Sequence, residues 1–158
     1  MRKTLIAQPT IQPRSLPDQE WLDLEHLARV ELTSEDPNAP IDSALVAGKK
    51  PGWHAATRGE QIIRIVFHQP RDLRRIRLEF CETENERTQE FTLRWSAEPD
   101  GPFSQVVRQQ WTFSPEGSTV EIEDYQVSLS GVSVLELALK PDLTPGTAFA
   151  SLARWRVA

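Results

Sequence analysis

From residue 28 to the C-terminus the chain is written in period two. About eight short runs alternate apolar with polar side chains, interrupted once by a long stretch rich in Pro, Gly and Ala from Ser34 to Glu60. Alternation of this kind buries one face of a strand and wets the other, so the runs must pair into sheets that stack on their apolar faces. Val30 and Leu32 alternate with Arg29 and Glu31 over Ala28 to Thr33. Gln61 to His68 is nearly continuously apolar, as suits a strand buried on both faces. Gln69-Pro70-Arg71-Asp72 reads as a turn, followed by Leu73 to Glu82 with Ile76, Leu78 and Phe80 on one face. Phe91, Leu93 and Trp95 mark a fourth strand, and Glu98-Pro99-Asp100-Gly101-Pro102 turns the chain into Gln105 to Phe113. In Thr119 to Leu129 the apolar phase changes between Val120/Ile122 and Tyr125/Val127/Leu129, which predicts a bulge near Glu123-Asp124. Ser130-Gly131 reads as a tight turn before Leu135, Leu137 and Leu139, and Leu152 to Val157 ends the chain. The expectation is an all-β, antiparallel β-sandwich: a jelly roll of about eight strands.

Ahead of the strands, residues 1–15 contain three Pro and little periodicity, and are expected to form an extended arm. Residues 16–158 then make one domain, opened by a short N-terminal helix in which Trp21, Leu24 and Ala28 recur at helical spacing. A chain of 158 residues can bury a core without disulfides or metal staples, and has no room for a second domain. The lone Cys81 asks for no oxidising compartment, and Leu5-Ile6-Ala7 is too short for a signal-peptide core, so the expected location is cytoplasmic. No apolar run reaches the 18 residues that a spanning helix needs, so no membrane insertion is expected. Net charge is −5, which supplies no global field to attract nucleic acid.

Parity places the loops. If successive strands run up and down, the segments Ser34 to Glu60, Glu82 to Arg87, Ser114 to Ser118 and Pro141 to Ala148 share one end, and the other end carries only short turns. Trp53, His54, Arg58, Glu84, Asn85, Glu86, Glu116 and Asp142 therefore gather together.

The order Leu27 to Ser34, then Ala39-Pro40-Ile41-Asp42, Gly52-Trp53 and Gln61 to Phe67 resembles the first half of galactose-binding-like domains. These include discoidin, or coagulation factor type C, domains and family 32 carbohydrate-binding modules. Leu73 to Leu78 and Phe91 to Ser96 before Phe103 continue the resemblance, which covers roughly residues 25 to 158. It implies a binding module that holds sugars, lipids or protein partners through loops at one end, often beside a structural calcium ion. Asp42 stands where that family has the acidic residue of its calcium loop, although Asp42-Ser43-Ala44-Leu45 departs from the usual Asp-Gly-Asn. Such an ion would need six to eight oxygens.

Two readings of Trp53 stand: its plane could stack on a sugar ring, or it could plug the open end of the sandwich. His54 and Arg58 offer hydrogen bonds to hydroxyls; Glu84 and Asn85 offer acceptors to a polyol or form a solvated tip; Arg87 is placed to pair with Glu82 or Asp42. No pair of His has metal-ligand spacing, and no Gly-rich phosphate loop or Ser/Cys nucleophile beside a base is present. The expected function is a non-catalytic module that holds a carbohydrate or other small polar molecule through Trp53, His54, Arg58, Glu84, Asn85 and Arg87, with no cofactor beyond that calcium. The rival is an intracellular module in which a sheet face bearing Arg75, Arg77, Arg94 and Arg108 meets an acidic protein or, less readily, nucleic acid.

Overall fold

The computed structural model describes residue 4 and residues 20–158. Except for residue 4, the arm expected over residues 1–15 and the domain start over 16–19 lie outside the described residues. The helix is a single turn, α1 (Leu24–Leu27), because Ala28 already takes up extended backbone and opens β1 (Ala28–Leu32). The long loop contains α2 (Asp42–Leu45) and a two-residue strand, β2 (Trp53–His54). The remaining strands are β3 (Gln61–Cys81), β4 (Arg87–Ser96), β5 (Ser104–Phe113), β6 (Val120–Lys140), β7 (Ser151–Leu152) and β8 (Arg154–Val157). Among the described residues no helix is long and apolar enough to cross a membrane.

Two expected turns are absent, which changes how the sandwich is built. Gln69 to Asp72 and Ser130-Gly131 do not reverse the chain; they lie within β3 and β6, each 21 residues long and paired antiparallel from end to end. The register slips between Val66 and Arg71, Arg71 and Leu73, and Leu73 and Arg75. Pro70 has no N–H to give a ladder, and a bulged segment tolerates it where regular pairing would not. Asp72 fastens this corner by accepting the Gly131 N–H at 2.8 Å, with Gly131 at φ 66°.

The corner folds one ribbon into two layers. The first half of β3 and the second half of β6 form one layer with β1, β4 and β5; the other halves form the second layer with β8. The layers meet face to face: Phe80 of β3 stacks on Phe91 of β4 with ring centroids 5.4 Å apart. Trp53, Trp155, Phe113, Ile63, Leu78, Leu93 and Leu135 are fully buried between them. The architecture is the expected antiparallel β-sandwich, and because each ribbon half reverses direction at the corner, the loop ends fall where alternation puts them.

The bulge expected at Glu123-Asp124 does not occur. Val120 to Gln126 pairs residue for residue with Cys81 to Arg75. Parity is set by Leu78 and Phe80, which must face the core, so their partners Glu123 and Glu121 face inward, while Val120 and Ile122 stand about half exposed on the outside.

The four arginines of the rival reading do not form one surface. Arg75 and Arg77 lie on the outside of one layer, bound to Asp124 at 2.5 and 3.2 Å, with Arg77 also bound to Glu79 at 2.9 Å. Arg94 and Arg108 belong to the other layer, paired with Glu136 and with Glu90 respectively. Glu136 is fully buried under Arg64 and Arg94, whose guanidinium groups cover the Phe103 ring at 5.7 and 5.0 Å. These groups answer one another across strands, which is how like-charged rows are avoided on a sheet.

Candidate ligand-binding site

Both ends of β3 and of β6 reach the same end of the sandwich, and there the connecting loops enclose a cavity of about 620 Å³. Its walls are the Cys81–Arg87 connection, the segment Asp142 to Phe149 without Leu143, and His54 beside Ser151. The pair β2 and β7 builds the third wall by setting Trp53 opposite Leu152 and His54 opposite Ser151. Gly52 permits that approach. At φ 109° it occupies a region that side chains avoid, and a Cβ there would lie 2.8 Å from the Leu152 carbonyl oxygen.

Of the residues singled out from sequence, His54, Glu84, Asn85 and Arg87 line this cavity together. Trp53 does not: it is fully buried, donates its indole N–H to the Ser34 carbonyl at 3.0 Å, and plugs the end of the core. Arg58 stands outside the lining, with its guanidinium 5.1 Å from the centroid of the Phe149 ring. Asp42 lies on another side of the domain, beside Leu24, Ile41, Leu45 and Val46, and is exposed. It belongs to no group of three carboxylate, imidazole or thiol ligands; among the described residues Asp23, Glu25 and His26 make the one such group.

Arg87 organises the floor. Its side chain donates to Glu82 at 2.8 Å through Nε, and through Nη1 to Gln89 at 3.2 Å and to the Pro141 carbonyl at 2.9 Å. The guanidinium also lies 4.8 Å from the Phe113 ring centroid. One residue thus ties two of the loops at this end to β4 and β5, and its Nη2 is left with no hydrogen-bond partner. Burial alone would raise the Glu82 carboxyl; Arg87 and the N–H groups of Glu84 and Asn85 outweigh it and hold the carboxyl below its usual range. The tip Thr83 to Glu86 is folded around that carboxylate.

A polar chain runs inward from the floor. Gln89 donates to Glu121 at 3.1 Å, and Tyr125 donates to Glu123 at 2.9 Å. Burial first, and then the neighbouring Glu123, push the Glu121 carboxyl up to about 8. The folded state therefore holds a proton on Glu121 that the unfolded chain releases near 4.5. The stability this gives is complete below that value and is lost as pH rises toward 8. Melting temperature, measured from pH 5 to 8.5, is expected to fall by several degrees in the native protein and to stay nearly flat in Glu121→Gln, which mimics the neutral acid.

Phe149 is a lining residue that sequence reasoning missed. It is 42% exposed and forms part of the cavity wall, in a segment whose Thr, Pro and Gly content reads simply as loop. An aromatic amid small residues at a loop end was the available signal.

No protein-family model matches the sequence, and no curated protein matches it. Solved structures do match by shape. One is the third family 32 carbohydrate-binding module of a family 31 glycoside hydrolase from Clostridium perfringens: TM-score 0.64, 17% identity, 89% of this chain and 95% of that one. Another is a family 32 module, also from Clostridium perfringens, in complex with GalNAc-β-1,3-galactose: TM-score 0.64, 16% identity, 87% and 98% covered. A third is the family 32 module of AlyQ in complex with 4,5-unsaturated mannuronic acid: TM-score 0.60, 14% identity, 84% and 95% covered. The chain has the galactose-binding-like β-sandwich fold of family 32 carbohydrate-binding modules.

Proposed function

We propose that this domain is a non-catalytic module that binds a saccharide in the loop-end cavity, with Phe149 as the platform for a sugar ring. The observation that carries the reading is the half-exposed Phe149 on the wall of a cavity that also presents hydroxyl, amide, imidazole, guanidinium and carboxylate groups. A pyranose has one apolar face and a rim of hydroxyls, and such a wall matches both. His54, Asn85 and Glu84 are the hydrogen-bonding partners for that rim, and Arg58 fixes the ring of Phe149 from outside the cavity. A cavity of about 620 Å³ has room for a sugar with part of a second residue. Two of the three structural neighbours described above were solved with saccharides, which supports this class of ligand.

Nothing in the arrangement favours bond cleavage. The carboxyl raised to about 8, Glu121, is fully buried beneath the cavity and is not part of its lining, so it cannot reach a glycosidic oxygen as an acid.

Titration calorimetry against galactose, N-acetylgalactosamine and their disaccharide tests the reading. Phe149→Ala is expected to weaken binding at least tenfold, about 1.4 kcal/mol, while leaving the melting temperature within a degree or two. Unchanged affinity in Phe149→Ala and in His54→Ala would move the site elsewhere.

A further inference from the structure

We infer that the chain's own N-terminal segment, Leu5 to Arg14, docks in extended form in an apolar groove beside β1. The groove shares no lining residue with the loop-end cavity, so the inference does not depend on what that cavity binds. It has a volume of about 350 Å³, and its apolar lining includes Leu24, Val30, Leu32, Ile41 and Leu45. Leu24, Leu45 and Val46 also line a second hollow, of about 330 Å³, together with Trp21 and Leu22, so the two adjoin. β1 is the edge strand of its layer. The Thr33 N–H donates to the Ile62 carbonyl at 3.0 Å, so in this register Arg29 and Glu31 turn their backbone groups toward β3, while Val30 and Leu32 turn theirs to the open edge. The same two residues therefore offer both groove side chains and free ladder groups, an arrangement that takes an added extended segment.

The segment ahead of Trp21 has the matching chemistry. Leu5, Ala7, Pro9, Ile11 and Pro13 fall on one parity, and Gln8, Thr10, Gln12 and Arg14 on the other, a pattern that Ile6 and the prolines obscure in the bare sequence. Extended backbone gathers the first set on one face, and Pro9, Pro13 and Pro17 disfavour helix in its place. Charge agrees with shape. Residues 1–19 contain Arg2, Lys3 and Arg14 against a single acid, Asp18, in a chain of net charge −5. The groove lining adds Glu25, Glu35 and Asp42 to its apolar residues, and none of the three makes an ion pair with a described residue. The join is also in place. Leu22 donates its N–H to the Val157 carbonyl at 2.9 Å, and the Arg75 guanidinium lies 5.0 Å from the centroid of the Trp21 ring, which fixes the chain at the second hollow. From there, the stretch back to Ile11 can span about 33 Å when extended, enough to run past both hollows.

Paramagnetic relaxation in the full chain tests the docking, with Cys81→Ser to remove the exposed native thiol and a nitroxide on Gln12→Cys, a position on the polar face of the segment. The amide signals of Val30, Leu32 and Leu45 are expected to lose most of their intensity, while those of Arg108 and Gln110 in β5, at the opposite edge of the same layer, keep most of theirs. Adding Ile11→Asp is expected to restore the groove signals in a protein that is still folded, and to lower the melting temperature by a few degrees. Weak, even broadening over the whole surface would overturn the inference, as would broadening on another face or a pattern that Ile11→Asp leaves unmoved. Nitroxide-bearing chain without isotope, mixed with isotope-labelled chain that carries no nitroxide, is expected to leave the groove signals intact. Broadening in that mixture would place the segment on a second copy and overturn its assignment to its own chain.

Discussion

Trp53→Ala is expected to remove about 3–5 kcal/mol of unfolding free energy, the usual cost of emptying a fully buried indole from a core. For a domain at the low end of the ordinary range, about 5 kcal/mol, that removes most of the stability. The cost has two parts: Trp53 has no exposed surface, and its N–H satisfies the Ser34 carbonyl, which the truncation leaves without that donor. Chemical denaturation measures it directly, and Trp53→Phe serves as the control that keeps most of the volume. The same pair of variants decides between the two meanings of this residue. A plug loses stability, whereas a sugar platform would lose affinity and melt normally.

Arg87→Met is expected to cost a similar 3–5 kcal/mol, because it strips the counter-charge from Glu82 and leaves the Gln89 side-chain carbonyl and the Pro141 carbonyl without their donor. Methionine retains much of the length that packs over Phe113, so the loss reports polar contacts more than volume. Glu82→Gln should cost less, since Arg87 keeps its other partners. Saccharide affinity is expected to drop in Arg87→Met even at temperatures where the domain remains folded, because the Cys81–Arg87 and Pro141–Phe149 walls are both anchored on that guanidinium. Equal denaturation midpoints for Arg87→Met and the native protein would show that the floor of the cavity is held by something else.

The strands and their faces were legible because alternation is a direct imprint of burial. Ile76, Leu78 and Phe80, or Phe91 and Leu93, face inward as their period requires. What misled was chemistry shared by turns and corners. Gln69-Pro70-Arg71-Asp72 carries the residues of a turn, but the same residues suit a bulged bend in a continuous strand, and only pairing over the whole ladder distinguishes the two. The phase change between Val120/Ile122 and Tyr125/Val127/Leu129 was read as a bulge; instead the pairing stays regular with Glu121 inward, where a neutral carboxyl accepting from Gln89 lowers the cost of burial. At the loop end, parity brought His54, Glu84, Asn85 and Arg87 to one place. It could not say which aromatic points outward, because Trp53 and Phe149 both sit in irregular segments where no period fixes direction. The Asp42 position likewise depended on a loop path that turns into α2, away from the cavity.

The two layers of this sandwich are one ribbon doubled over, joined at the corner by unbroken chain in both β3 and β6. A purse closed by a fold along one side can open only along the other. The layers cannot part at the corner without tearing paired strands, so any loosening begins at the loop end, where β3 and β6 both terminate and where side chains, chiefly Arg87 with Glu82 and Gln89 with Glu121, do the fastening. A molecule seated between the Cys81–Arg87 and Asp142–Phe149 walls would act as the clasp, holding shut the one margin that the backbone leaves unsewn.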